Sequence, residues 1–215
     1  MRHRFHLVLS LVSLCLVAAP VLCHAVPVIT FEEESLVATG TTPGAAVAWI
    51  GVGRSHTAFT PQRLTLWQVV EADAAGMARL ELGRPVPVES TFVAVDLVTG
   101  EMALAAPPGT PLREVGLPHQ AVPASLRTLK DNRSGLAVLW ARPAADGTGS
   151  AWGGAVSDGS DLDGDGREDR GVEVLLDRLQ PLGASAAPPE SLAEGDVLVG
   201  VDLETLETYA VRFVR

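Results

Sequence analysis

Apolar and polar residues alternate along much of this chain. In the stretch STFVAVDL (90–97), Val93, Val95 and Leu97 fall on one face, with Phe92, Ala94 and Asp96 on the other. DVLVGVDL (196–203) repeats the pattern, with Val197, Val199, Val201 and Leu203 together. Period two over such a length predicts half-buried strands. Elsewhere, short Val, Leu and Ala runs are punctuated by Gly, Pro and Asp turns, the texture of all-β structure. Strands are predicted at 35–39, 46–52, 63–72, 77–82, 91–97 and 101–105. A second set is predicted at 125–129, 136–142, 151–156, 172–176, 196–202 and 207–214.

The two sets look like copies. VAVDLVTGEMALA (93–105) aligns without gaps on VGVDLETLETYAV (199–211), and 34–49 resembles 124–140 with one inserted residue. This alignment pairs Trp49 with Trp140 and Trp67 with Trp152. The expected plan is two tandem Ig-like β-sandwich halves related by internal duplication, 27–110 and 123–215, joined by a Pro-rich linker at 111–122. One larger sandwich built from both halves is the alternative.

The N-terminus reads differently. Arg2 and Arg4 precede an apolar run from Leu7 to Ala19, and Cys23-His24-Ala25 offers a small-residue cleavage site. The run is short for a membrane span and has the flanks of a secretory signal, so residues 1–25 are expected to be removed and the protein exported to the periplasm or beyond. Both cysteines, Cys15 and Cys23, lie inside that leader. The mature chain would therefore have no thiol for a nucleophile, a disulfide or a cysteine metal site.

Losing Arg2 and Arg4 from the 16 basic residues leaves 14 against 26 acidic ones, a net charge of −12. With Lys130 its sole lysine, such a surface repels phosphate backbones, and nucleic acid is excluded as a partner. A protein or glycan partner is expected instead, with no membrane association after leader removal.

The densest chemistry is SDGSDLDGDGREDRG (157–171). Its DLDGDGRED core resembles the DxDxDG calcium loops of EF-hand, dockerin and thrombospondin type 3 proteins. The resemblance implies a Ca²⁺ site in which Asp161, Asp163, Asp165 and Asp169 supply carboxylates. Arg167 would supply its carbonyl, and Gly166 would permit the sharp turn. Val172 stands where an EF-hand has its bidentate Glu, and the preceding GTGSAWGGAVSDGS is too Gly-rich for an entering helix. The loop is thus expected on a β scaffold.

No catalytic motif accompanies it. His56 and His119 are the histidines beyond the leader, and neither adjoins a nucleophile motif. Ser55 and His56 read as surface turn residues, and Glu32, Glu33 and Glu34 as solvated charge. Trp49 and Trp140 sit in apolar strands and are expected in the core. Trp152, beside glycines and near the acidic loop, is the candidate for an exposed aromatic surface. The expected function is a secreted, non-enzymatic structural or adhesive protein with a calcium-stiffened loop. An extracellular carbohydrate-binding accessory module or hydrolase is the alternative.

Overall fold

The structure, a computed structural model, describes residues 26–57, 60–112, 114–116, 135–156 and 176–213. Within them the chain is all β, with one 3₁₀ turn at Leu176–Arg178 and no α-helix among the described residues. The strands are β1 (Val28–Phe31), β2 (Ser35–Thr39), β3 (Ala46–Thr57), β4 (Thr60–Glu71), β5 (Met77–Glu81), β6 (Ser90–Asp96) and β7 (Met102–Ala105). They continue as β8 (Glu114–Gly116), β9 (Leu136–Arg142), β10 (Ser150–Val156), β11 (Gln180–Leu182), β12 (Val197–Asp202) and β13 (Thr208–Arg212). The strand expected at 125–129 lies outside the described residues, as do 172–175. Leu176 opens the 3₁₀ turn rather than ending a strand.

Three sheets stack as layers, in the orders β1-β2-β5, β4-β3-β6-β7 and β11-β10-β9-β12-β13-β8. The four-stranded sheet is the middle layer. From β3 and β6, Ala48, Ile50, Val52, Val93 and Val95 point toward the six-stranded sheet. There they meet Ala137, Leu139, Ala141, Val197, Val199 and Val201 in one apolar core. The alternate residues Val47, Trp49, Phe92 and Ala94 point the other way, onto Leu36, Ala38, Ala78 and Leu80 of the three-stranded sheet. Every residue of β6 is therefore buried, on both faces, where the alternation predicted a strand with one wet face. Each fully buried Val, Leu, Ile or Phe adds about 1.5–3 kcal/mol, so these two interfaces dominate the stability.

A third apolar cluster covers the far face of the six-stranded sheet. Trp140, Trp152, Leu198 and Tyr209 pack there beneath Leu179 and Leu192. Both halves thus meet in a shared core.

The halves also match in topology. β4-β3-β6-β7 and β10-β9-β12-β13 run in the same order, with every neighbour antiparallel. The turns after β6 and β12 agree bond for bond. Asp96 Oδ1 accepts from the amides of Val98 and Thr99, and Asp202 Oδ1 from those of Glu204 and Thr205. Thr99 and Thr205 hydroxyls then accept from Glu101 and Glu207. The Leu97 amide donates to the Ala46 carbonyl, and the Leu203 amide to that of Gly135.

Those last two bonds fix the correspondence of β3 with β9. Ala46 matches Gly135, so the place of Trp49 is taken by Val138, and Trp140 lies two residues beyond. The expected pairing of Trp49 with Trp140 is corrected accordingly, with the face unchanged because the slip is even. Pairing Trp67 with Trp152 fails more seriously, since the ladders put Gly153 at the place of Trp67. That odd slip reverses the face. Trp67 enters the shared core while Trp152 joins the outer cluster.

Within the stretch read as a linker, 111–122, β8 adds to the six-stranded sheet as a parallel edge beside β13. Ser55 and His56 are not turn residues but extend β3. Its pairing with β4 runs to Thr57↔Thr60, past the last β6 partner at Gly53↔Ser90.

Candidate functional site

Three buried aspartates are the first place to look for chemistry, because burying a carboxylate costs several kcal/mol unless it is paired. Asp96 and Asp202 cap the matching turns described above. Asp96 also accepts from the Thr42 amide at 2.6 Å. Asp196, just before β12, is 1% exposed. It takes Nε and Nη2 of Arg142 at 2.9 and 2.8 Å, the Trp140 indole at 3.0 Å and the Ala193 amide at 2.7 Å. Arg142 also lies 5.3 Å from the ring centre of Trp140 and 5.9 Å from that of Trp152. Hydrogen bonding to Asp196 raises the Arg142 pKa, against partial burial, which lowers it. This cluster fastens the segment before β12 to β9 (Arg142 Nη2 donates to the Ser191 carbonyl as well) and presents no group for proton transfer.

The polar crevice of the described surface, about 400 Å³, lies at the seam of the halves. Arg54, Glu89, Thr110, Glu204 and Leu206 line it. The Arg54 guanidinium pairs with Glu89 at 3.4 Å and donates to the Glu204 carbonyl. The guanidinium thus offsets the Glu89 carboxylate, and no nucleophile with a base beside it is found among the lining residues. Sequence reading missed this crevice because its residues come from four distant stretches and follow no motif.

The other expected residues distribute as follows. Glu32 forms an ion pair with Arg79 and accepts from Ser35. The Arg79 bond chiefly holds its carboxyl below the ordinary value. Trp49, Trp140 and Trp152 are at most 3% exposed, so Trp152 is not the surface aromatic expected from its glycine neighbours. Its indole donates to the Ala186 carbonyl at 2.8 Å. Trp67 is half-buried, with its indole donating to the Val138 carbonyl at 3.1 Å.

The expected calcium residues, Asp161, Asp163, Asp165, Arg167 and Asp169, lie outside the described residues. Their anchors do not. β10 ends at Val156, and the chain returns at Leu176 beneath the outer face of the six-stranded sheet. At the matching place in the first half, β4 and β5 are joined by a tight turn with a single carboxylate. There Asp73 Oδ1 accepts from the amides of Ala75 and Met77, and Gly76 takes a positive φ of 74°. A Cβ at Gly76 would come within 2.2 Å of the Thr41 carbonyl oxygen, so glycine is required there. No cluster of three or more metal-ligating side chains exists among the described residues. No helix among them is long and apolar enough to cross a membrane.

Comparison with protein-family models, with curated proteins and with solved structures finds no match to this chain.

Proposed function

We propose that this is an exported, non-catalytic β-sandwich protein of structural or adhesive kind, whose loop at 161–169 holds a calcium ion. One observation carries the non-catalytic reading. The buried carboxylates Asp96, Asp196 and Asp202 are each engaged by backbone amides or by Arg142 and Trp140, and so serve the fold. The burial of Trp49, Trp140 and Trp152 weighs against a sugar-stacking surface.

Calcium is the ligand because Asp161, Asp163, Asp165 and Asp169, with the Arg167 carbonyl, form a hard-oxygen set at alternate positions. A turn at that place needs only the one carboxylate of Asp73, so the surplus calls for a counter-charge. In the same reading, residues 1–25 are a leader removed after Ala25, and the two halves arose by duplication. The matching turns and strand orders support the duplication.

Calorimetric titration of demetallated protein with calcium and with magnesium tests the central claim. Heat with calcium and little with magnesium is expected, and no binding at millimolar calcium would remove it. Mass spectrometry of the exported protein tests the leader, with Val26 expected as the first residue.

A further inference from the structure

Among the described residues, the edge strands of the three sheets differ sharply in length. β1 and β7 have four residues, β5 has five, and β8 and β11 have three, the last interrupted by Pro181. β4, the outer strand of the middle sheet, has twelve. Short strands and prolines are the usual protection of an edge against pairing with another chain. From Gln62 to Glu71, β4 has no proline, glycine or lysine. In the other half the matching strand β10 is covered by β11, whereas among the described residues β4 ends its sheet.

The ladder shows which backbone groups are open. The Ala72 amide donates to the Ala45 carbonyl, which sets the even residues of β4 toward β3. Arg63, Thr65, Trp67, Val69 and Glu71 therefore direct their amides and carbonyls outward. Thr65, Gln68 and Glu71 are exposed, with Leu66, Trp67, Val69 and Val70 between them part-buried. With no neighbour on that side among the described residues, such an edge suits strand addition.

We propose that two copies of this chain join edge to edge through β4, antiparallel about a two-fold axis at Trp67. The register follows from the sequence. Centred on Trp67, the outward residues meet outward residues: Trp67 opposite Trp67, Thr65 opposite Val69, and Arg63 opposite Glu71 of the second copy. All the open groups of this stretch then pair, giving about ten backbone hydrogen bonds. Both ends of the pairing bring together opposite charges, which is the complementarity an isologous contact requires. Moving the centre by one residue toward the N-terminus would set Glu71 against Pro61, which has no amide to donate. Moving it one residue the other way leaves Arg63 facing Asp73, beyond the end of the strand.

Sedimentation or light scattering over a concentration series, on protein purified from the full chain, tests this. A dimer is expected. Thr65→Pro removes an outward amide that the β3 ladder does not use, so it should give a monomer with an unchanged far-UV spectrum. Arg63→Glu and Glu71→Arg should each weaken dimerisation about tenfold, and the double exchange should restore it. A monomer throughout the series, an open-ended polymer, or a dimer indifferent to all these changes would overturn the proposal. So would a rescue failure with both single variants folded and weakened, since that rejects the register.

Discussion

Gly100 and Leu206 hold the same left-handed backbone at the same place in two matching turns, with φ of 71° and 60°. Leu206 is the one non-glycine residue with positive φ among the described residues. The difference between them lies in what surrounds the Cβ. At Gly100 an added Cβ would meet Pro143 Cγ at 2.8 Å, and Arg212 reaches past it to donate to the Gly100 carbonyl. At Leu206 the side chain instead enters the shared core, where it is 8% exposed.

Left-handed backbone costs a non-glycine residue about 1–2 kcal/mol, whereas emptying a buried leucine site costs about 2–5 kcal/mol. Burial wins. Leu206→Gly is expected to destabilise by about 1–3 kcal/mol despite relieving strain. Gly100→Ala should also destabilise, through both backbone and contact. Urea denaturation midpoints, with unchanged slopes, check both.

Gly153 and Trp67 test the shared core from its two sides. A Cβ on Gly153 would lie 2.5 Å from Trp67 Cδ1. Gly153→Ala should therefore cost about 1–3 kcal/mol by overpacking, and Trp67→Leu should make room for it. A double-mutant cycle should show strong coupling between these residues of opposite halves. Additive effects would contradict the contact.

Removing either partner of the Arg142–Asp196 pair has unequal consequences. Asp196→Asn leaves a guanidinium that is 31% exposed and can turn to water. Arg142→Met leaves a buried carboxylate with only the Trp140 indole and the Ala193 amide to hold it. The second variant should be the less stable at neutral pH, by about 3–5 kcal/mol relative to the parent. Thermal melts at neutral pH compare the two.

Calcium should stabilise the protein modestly. Extracellular modules bind it at about 10⁻⁴–10⁻³ M, which at about 1 mM calcium gives roughly 0.4–1.4 kcal/mol. The melting temperature should rise by a few degrees, at about 2–4 °C per kcal/mol. Asp163→Ala and Asp165→Ala should abolish the rise, and Asp73→Ala should leave it intact while weakening the first-half turn. Melts with calcium and with chelator decide it.

The sequence by itself determined the strands wherever alternation met a turn. β2 and β9 begin and end where the pattern places them, and β5, β6, β10 and β12 shift by a residue or so. It also determined the matching turns, because Asp, Thr and Glu recur at the same spacing and each makes a local bond. β1, β8 and β11 were not legible. Each is three or four residues long, too short for a period to register, and forms because a neighbouring strand offers an open ladder.

Tertiary structure alone decided which faces are buried. Alternation says that two faces differ, and says nothing of a second sheet on the far side. Only the stacking of three layers makes β6 dry throughout. It also decided the register between the halves. Matching tryptophans by type aligned Trp49 with Trp140, yet the aromatic at that spot comes from different strands. Gly51 faces Phe92 in one half, and Trp140 faces Leu198 in the other. A core selects for the total volume in a space rather than for a residue at a position, so equivalent sites exchange bulk across a strand pair. Backbone hydrogen bonds carry no such freedom, and the amides of Leu97 and Leu203 therefore report the register that the side chains disguise.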